Sequence, residues 1–457
     1  MSVVPDYGEW PTETLPANWV WASFADAWLD YTDSLRKLPK KAYQPAGRFA
    51  VVDQGEDLVG GFSDDEGLLS HAPRPCIVWG DHTKCVKYID HPFVQGADGV
   101  KVLATTGSML PEFAHLALKA IALPDKGYSR HFKFLRASRY PVPPLAEQHR
   151  IVAKLDSLFA RTRSAREELA RIPRLIEHYK QAILAAAFRG ELTADWRAER
   201  GQASVPSEDM PSSWNRAELK DIAEVQSGLA LGKKRNPAED LREVPYLRVA
   251  NVQRGYFDLS EIKTVRATEQ EIARLLLKEG DILMNEGGDR DKLGRGWVWS
   301  GKVSPCIHQN HVFRIRLHDP EYPPRYVSYF ANAFGQRYFF AEGKQTTNLA
   351  SISKTKVSSL PVPLAPAQEA VEIVSRLEAA LTEIVRIDSE ATRAAALLDH
   401  LDYANLAKAF RGELVPQDPN DEPAAVLLER IRAARAAEPK RRRRKATPDT
   451  AARGVIR

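Results

Sequence analysis

Ala187-Phe188-Arg189-Gly190-Glu191-Leu192 returns unchanged as Ala409-Phe410-Arg411-Gly412-Glu413-Leu414, 222 residues further along the chain. Upstream of the two copies, two apolar ladders match position for position at the same offset of 222. The first is Ile151, Leu155, Leu158, Thr162, Ala165, Leu169, Ile172, Ile176 and Tyr179. The second is Ile373, Leu377, Ala380, Ile384, Ile387, Ala391, Ala394, Leu398 and Leu401. Steps of four and three alternate through both, the 3.5-residue repeat of a helix that buries one seam. Each predicted helix stops at a glycine, Gly190 or Gly412, a residue that takes up the left-handed conformation without steric cost. Pro173 lies inside the first ladder and predicts a kink or a fresh helix there, because proline donates no backbone bond and clashes with the preceding turn. The second copy has Ala395 at that place and can run through.

Outward from the helices the duplication continues. Leu15-Pro16-Ala17-Asn18-Trp19 recurs as Met210-Pro211-Ser212-Ser213-Trp214 at an offset of 195. Pro141-Val142-Pro143 recurs as Pro361-Val362-Pro363 at an offset of 220, with Gln148 and Gln368 in step. A period of about 200 residues is far too long for a solenoid. The chain therefore reads as a globular block and a helix, then both again. Within the blocks, 47–53, 76–79, 84–89, 244–252, 281–285 and 312–317 are predicted strands, and 269–278 and 324–340 predicted helices. A single apolar seam requires a partner. That partner is either a second copy of the chain or the chain's own other helix, and the matched registers favour the second, run antiparallel.

Composition limits the function. The chain has 457 residues, 44% hydrophobic and 27% charged, enough for two to four units with cores of their own. Its net charge is +5, but residues 430–445 hold nine basic side chains and one acid, a local +8 that leaves −3 for the remainder. A polyanion would then have to meet local patches. Three cysteines, Cys76, Cys85 and Cys306, argue against a disulfide framework. The start, Met1 to Trp10, has neither the basic residues nor the apolar run of a signal peptide, and no bilayer-spanning stretch is found, so a soluble, cytoplasmic protein is expected. No Gly-rich loop followed by Lys-Ser or Lys-Thr occurs, nor an Asn-Pro-Pro-aromatic motif, so nucleotide hydrolysis and adenine methylation by this chain are not expected. Cys76, His82, Cys85 and His91 have spacings that match no common zinc arrangement. The Asp289-Arg290-Asp291 run starts like a calcium loop, but Leu293 and Ser300 stand where oxygen ligands are needed. His308, His311 and Asp319 could be fragments of an acid–base site but have no nucleophile at a recognisable turn.

The segment 143–152 (Pro-Pro-Leu-Ala-Glu-Gln-His-Arg-Ile-Val), the two Phe-Arg-Gly-Glu-Leu exits, the Leu-Pro-x-x-Trp starts, Gly280-Asp281-Ile282-Leu283, 343–348 and the closing 417–423 together carry a resemblance. In this ordered, twice-repeated set the chain resembles the specificity subunit of type I restriction–modification systems over residues 12–436. Two departures stand out. Ala367 precedes Gln368 where glutamate is usual, with two extra residues before Ile373, and the first block has Gly80-Asp81-His82-Thr83 where the second has Gly-Asp-Ile-Leu.

The resemblance implies a mixed α/β fold: two globular target recognition domains separated by two long helices that form an intramolecular antiparallel coiled coil, a pseudo-twofold repeat. The implied division is 1–140 for the first recognition domain, 141–192 for the first spacer helix and 193–213 for a linker. The second domain follows at 214–360, the second spacer helix at 361–414, a helical extension at 415–436 and a basic, disordered tail at 437–457. Ile151, Leu155, Leu158, Leu169, Ile373, Leu377, Ile384 and Leu398 are the seam. The implied role is non-catalytic. Each domain reads half of a split, asymmetric site in double-stranded DNA, and the helices act as a ruler between them. Two modification subunits methylate adenine N6, and motor–nuclease subunits join for cleavage. S-adenosylmethionine, ATP and Mg would belong to those partners, with no cofactor or metal in this chain and no membrane contact. Arg and Lys suit guanine and Asn and Gln suit adenine, so candidate DNA-contacting residues are His82, Thr83, Lys84, Arg130, His131 and Lys133 in the first block. In the second they are Arg290, Lys292, Arg295, Lys344, Gln345, Thr346 and Asn348. Two other readings are a related system whose single partner both methylates and cleaves, and a stand-alone coiled-coil interaction scaffold.

Overall fold

A computed structural model describes residues 9–124, 127, 129–202, 210–232, 239–288, 293–342, 344–345 and 350–437. The chain divides into two compact units, residues 1–169 with 393–457, and residues 170–392.

In the first unit, strands Trp28–Asp30, Val100–Thr105, Cys76–Gly80 and Val86–Ile89 form an antiparallel sheet in that spatial order. The strand Cys76–Gly80 is buried throughout, since side chains alternate across a sheet that is covered on both faces. Ile77 and Trp79 enter one core, and Cys76 and Val78 another. A second sheet orders Gly61–Ser63, Phe49–Val52 and Phe93–Gln95, antiparallel then parallel. Val20–Ser23 pairs with the proline-bearing strand Arg139–Val142 in a two-stranded ribbon, where a missing backbone donor is tolerated.

The second unit repeats this plan. Ala223–Ser227, Val312–Leu317, Ile282–Asn285 and Gly296–Val298 form its antiparallel sheet. Lys263–Ala267, Arg242–Leu247 and Ile307–His308 form the mixed one, and Asn215–Glu218 pairs with Pro361–Leu364. Strand order and sense agree between the units in these three sheets; the second unit adds a small sheet of Gly287–Gly288, Ala350–Ser351 and Lys344–Gln345. The pairing of Gly80-Asp81 with Gly280-Asp281 does not hold, however. The first follows into the end of strand Cys76–Gly80, whereas the second precedes its counterpart Ile282–Asn285.

The helices span the ladders, but not every ladder position is buried: Tyr179, Ile387 and Leu401 are exposed. Leu145–Leu169 ends and Ile172–Phe188 starts afresh with Pro173 in its first turn, while Ala367–Phe410 runs unbroken for 44 residues. Gly190 and Gly412 stop them at φ 78° and 74°. Ile151, Leu155, Ile373, Leu377 and Ile384 are buried, and Leu158, Leu169 and Leu398 half-buried. In the first unit Thr162 donates to Asp402 at 2.8 Å, and Arg166 to Asp402 and Asp399 at 2.8 and 2.9 Å. In the second, Ala187 and Phe188 share a core with Ile373, Val374 and Leu377. Both sets of contacts are antiparallel. Surface ion pairs such as Arg166–Asp399 add little stability, so the seam carries the pairing.

A duplicated hydrogen bond locks each helix start to its sheet. Trp19 Nε1 donates to Glu147 at 3.0 Å, and Trp214 Nε1 to Glu369 at 2.8 Å. Both carboxylates are buried. This corrects the register read from the proline clusters. Glu147 corresponds to Glu369 at offset 222, so the two extra residues lie in the turn before the second helix, and Gln368 is not the counterpart of Gln148. Gln148 instead holds Leu110 N, Ser108 O and Pro143 O at 2.7–3.0 Å, a task that buried Ala370 does not share.

Each carboxylate also takes a donor from the loop that follows the other helix. Gln417 Nε2 reaches Glu147 at 2.5 Å, and Thr193 reaches Glu369 at 2.7 Å with Arg197 beside it. Residues 193–200 therefore belong to the packed second unit and not to a linker, with Thr193, Trp196 and Arg197 buried. Burial raises the Glu147 carboxyl above its ordinary range, opposed by its bonds from Trp19 and Gln417. The extension is helical from Ala424 to Ala437, with Leu428 in the first core and Arg432 paired with Asp26 at 2.6 Å. Arg432 holds that carboxyl down at about 2, against the burial that raises it. The tail from residue 438 lies outside the described residues.

Removing one donor from a buried carboxylate leaves it underpaired. Trp214→Phe should lower stability by about 1–3 kcal/mol. Arg197→Ala should cost about 3–5 kcal/mol, because it breaks a buried ion pair. Both would be read as shifts of the urea midpoint.

Candidate nucleic-acid interface

The turn after strand Cys76–Gly80 carries His82, Thr83 and Lys84. Lys84 sits at φ 60° in the left-handed region, and its N–H closes the turn on Gly80 O at 2.8 Å. Gly80 is required, because a Cβ there would lie 2.3 Å from Thr83 Oγ1. Thr83 Oγ1 donates to Gln54 O at 2.6 Å, and Gln54 Oε1 accepts from His82 N at 3.2 Å, so a second loop supports the turn. Asp81 ties it to a third segment. Its carbonyl accepts from His131 N at 2.9 Å and its carboxylate from Phe132 N at 2.7 Å.

Residues 82–84 and 130–133, chosen independently in the sequence, thus meet through one aspartate. Thr83, Arg130 and Lys133 are exposed, and His82 and Lys84 half-buried. The Lys133 ammonium lies 4.9 Å over the Phe134 ring. His131 is a correction. It is fully buried, with Nδ1 3.2 Å from Asp81 O, so it shapes the surface and cannot touch a duplex.

The equivalent turn of the second unit, between strands Ile282–Asn285 and Gly296–Val298, is longer. Asn285 N donates to Arg295 O at 3.0 Å across its base. Glu286 O accepts from Ile352 N at 2.8 Å, and Gly287–Gly288 pairs with Ala350–Ser351, which pairs in turn with Lys344–Gln345. Here too the turn is joined to the connection before the last short helix. Arg295 is half-buried and reaches Val249 O at 3.4 Å. Lys344 and Gln345 form a short strand, while Arg290, Lys292, Thr346 and Asn348 lie outside the described residues.

Gln54, Asp81 and Glu286 escaped the sequence reading. They act through bonds to residues 28 to 66 positions away, for which local spacing carries no signal.

The other chemistries gain no geometry. Among the described residues, no group of three or more His, Cys, Asp or Glu side chains could hold a metal ion. Burial raises the Cys76 thiol to about 11, and the Asp289–Asp291 run lies outside the described residues. His308 is buried against Val312 O at 2.6 Å, and desolvation lowers its pKa to about 4. His311 is exposed and pairs with Glu286 at 2.5 Å. Among the described residues no helix is long and apolar enough to cross a membrane.

Comparison with known proteins now bears on the family. Residues 211–393 match the type I restriction modification DNA specificity domain. Over this span the chain is similar to the specificity subunits of type I restriction enzymes. It is 31% identical over 312 residues to the EcoKI specificity subunit of Escherichia coli K12, an alignment covering 65% of this chain and 64% of that one. It is 29% identical over 319 residues to the EcoBI specificity subunit of E. coli, covering 66% of each. The chain thus spans somewhat less than two thirds of the length of these relatives. In fold it is similar to the HsdS subunit of Thermoanaerobacter tengcongensis, at a TM-score of 0.56 and 19% identity, covering 88% of this chain and 98% of that one. Exposed turns set on two copies of a rigid sheet are the natural place for variable contacts.

The buried His308 makes a pH prediction. Its folded pKa lies below the ordinary 6.5, so the unfolded state binds the extra proton between about 6.5 and 4. Stability is fully present above that window and should fall by about 3 kcal/mol as pH drops through it. His308→Asn should flatten this part of the profile in urea melts at stepped pH.

Proposed function

We propose that this subunit selects a split, asymmetric DNA site at which a type I modification enzyme methylates adenine N6, and that it performs no chemistry itself. One observation carries the reading: two units that share the strand order of three sheets have connections of unequal length at the same place, between Gly80 and Val86 in one and between Asn285 and Gly296 in the other. Equal frames with unequal turns suit two readers of unequal half-sites. Base edges are distinguished by side chains that reach into the major groove, and Thr83, Lys84, Arg130, Lys133 and Arg295 are the described candidates.

The partners in this proposal are two modification subunits, joined by motor–nuclease subunits where DNA is cut. They would bring S-adenosylmethionine, ATP and Mg to a complex working in the cytoplasm. The helices offer two equivalent docking places. Leu175 and Tyr179 are 62% and 51% exposed, and at offset 222 Leu397 and Leu401 are 58% and 48% exposed. Large apolar side chains left open at matched positions of a repeat suit two copies of one partner.

Co-expression with the neighbouring modification subunit, in a host without adenine methylation, tests the function by single-molecule methylome sequencing. A single split, asymmetric motif that vanishes without this chain is expected. An unmodified genome despite a copurifying complex would overturn the reading. For docking, Leu175→Asp with Tyr179→Asp should remove one modification subunit from the complex in native mass spectrometry. Adding Leu397→Asp with Leu401→Asp should remove both.

A further inference from the structure

A cleft of about 720 Å³ opens in the second unit between helix Ile172–Phe188 and the helical run that starts at Pro324. One wall is aromatic, with Trp297 edge-on to Tyr329 at 5.1 Å between ring centres. The rim carries Lys180, Arg254 and Arg337, with Glu177 as the one acid among its described lining residues. Both the size and the mixture of apolar wall and polar rim are those of a small-molecule site.

Two further observations set the cleft apart from ordinary surface relief. The helical run widens at Ala331–Gly335 into a π-helix, whereas its counterpart in the first unit, Pro111–Ala120, is a regular α-helix. Such turns are rare and are frequently found at functional sites. The widened turn is held in place by Asn332, whose Nδ2 donates to Gly296 O at 2.9 Å and Ser328 O at 2.8 Å, beside Trp297 on the same strand. The second observation is a comparison within the chain. At offset 222 from Lys180 the first unit has Asp402, already engaged with Arg166. At this position, therefore, the shared fold does not require a cation, and Lys180 distinguishes the two copies.

We propose that this cleft binds a nucleotide, its base against Trp297 and Tyr329 and its phosphate at the rim of Lys180, Arg254 and Arg337. An inorganic anion has no use for the aromatic wall, and an uncharged ring has none for three cations. A base on aromatic side chains with phosphate among cations satisfies both. The site binds and does not hydrolyse, since the chain has no Gly-rich phosphate loop. The proposal does not depend on how the turns read duplex DNA. The nucleotide could be free or part of an unpaired DNA strand, and the test separates these sources.

The full chain is titrated with AMP and ATP, and separately with a short single-stranded oligothymidylate, by calorimetry and tryptophan fluorescence. Saturable binding is expected, weakened at least about tenfold by Lys180→Asp, which installs the other unit's residue, and by exposed Arg337→Glu. Trp297→Phe should keep most of the affinity and lose most of the fluorescence change. Variant-sensitive binding of AMP or ATP assigns a free nucleotide, and such binding of the oligonucleotide alone assigns a DNA strand. Absence of binding by all three ligands at millimolar concentration overturns the proposal, as does binding that neither charge variant alters.

Discussion

A carboxylate taken out of water must be given donors, and the rest of this structure depends on two such carboxylates. Glu147 and Glu369 each accept an indole N–H from the residue just before the first strand of their unit and a second bond from the loop that follows the opposite helix. Three segments far apart in sequence are thereby brought to one point in each unit, and in the first this ties residues 1–169 to 393–457 across the intervening second unit. The cost of leaving a buried charge underpaired makes this arrangement all-or-none, which an apolar contact of the same size would not be.

With the frame closed in this way, the turns are free to differ. The two sheets share order, sense and register logic, and their cores are filled from the same positions of equivalent strands. The first core does not reach the tip after Gly80, a short turn braced by Gln54, whereas the longer turn after Asn285 is tied to Ala350–Ser351 and anchored in the second core by Leu293 alone among its described residues. Such a separation suits the selection of a DNA site proposed above. Contacts that vary with the target must not disturb packing, and packing that is common to both copies must not dictate the contacts. The basic cleft of the second unit is a further difference laid over the same frame, and it too is built on surface positions that the fold leaves undecided.

What the sequence alone determined is what depends on neighbours a few residues away. The helices, the break at Pro173, the glycine stops and the main strands followed from periodicity and from the backbone limits of proline and glycine. The repeat also favoured pairing of the two helices within one chain over pairing with a second copy, because their registers match. Tertiary structure alone decided which glutamate meets which tryptophan, that 193–200 packs and does not merely link, and that His131 is interior while Arg130 beside it is not. It also brought residues 82–84 and 130–133 to one surface through Asp81. These outcomes rest on burial and on hydrogen bonds across tens or hundreds of positions. Local spacing carries no trace of such bonds until the chain has folded.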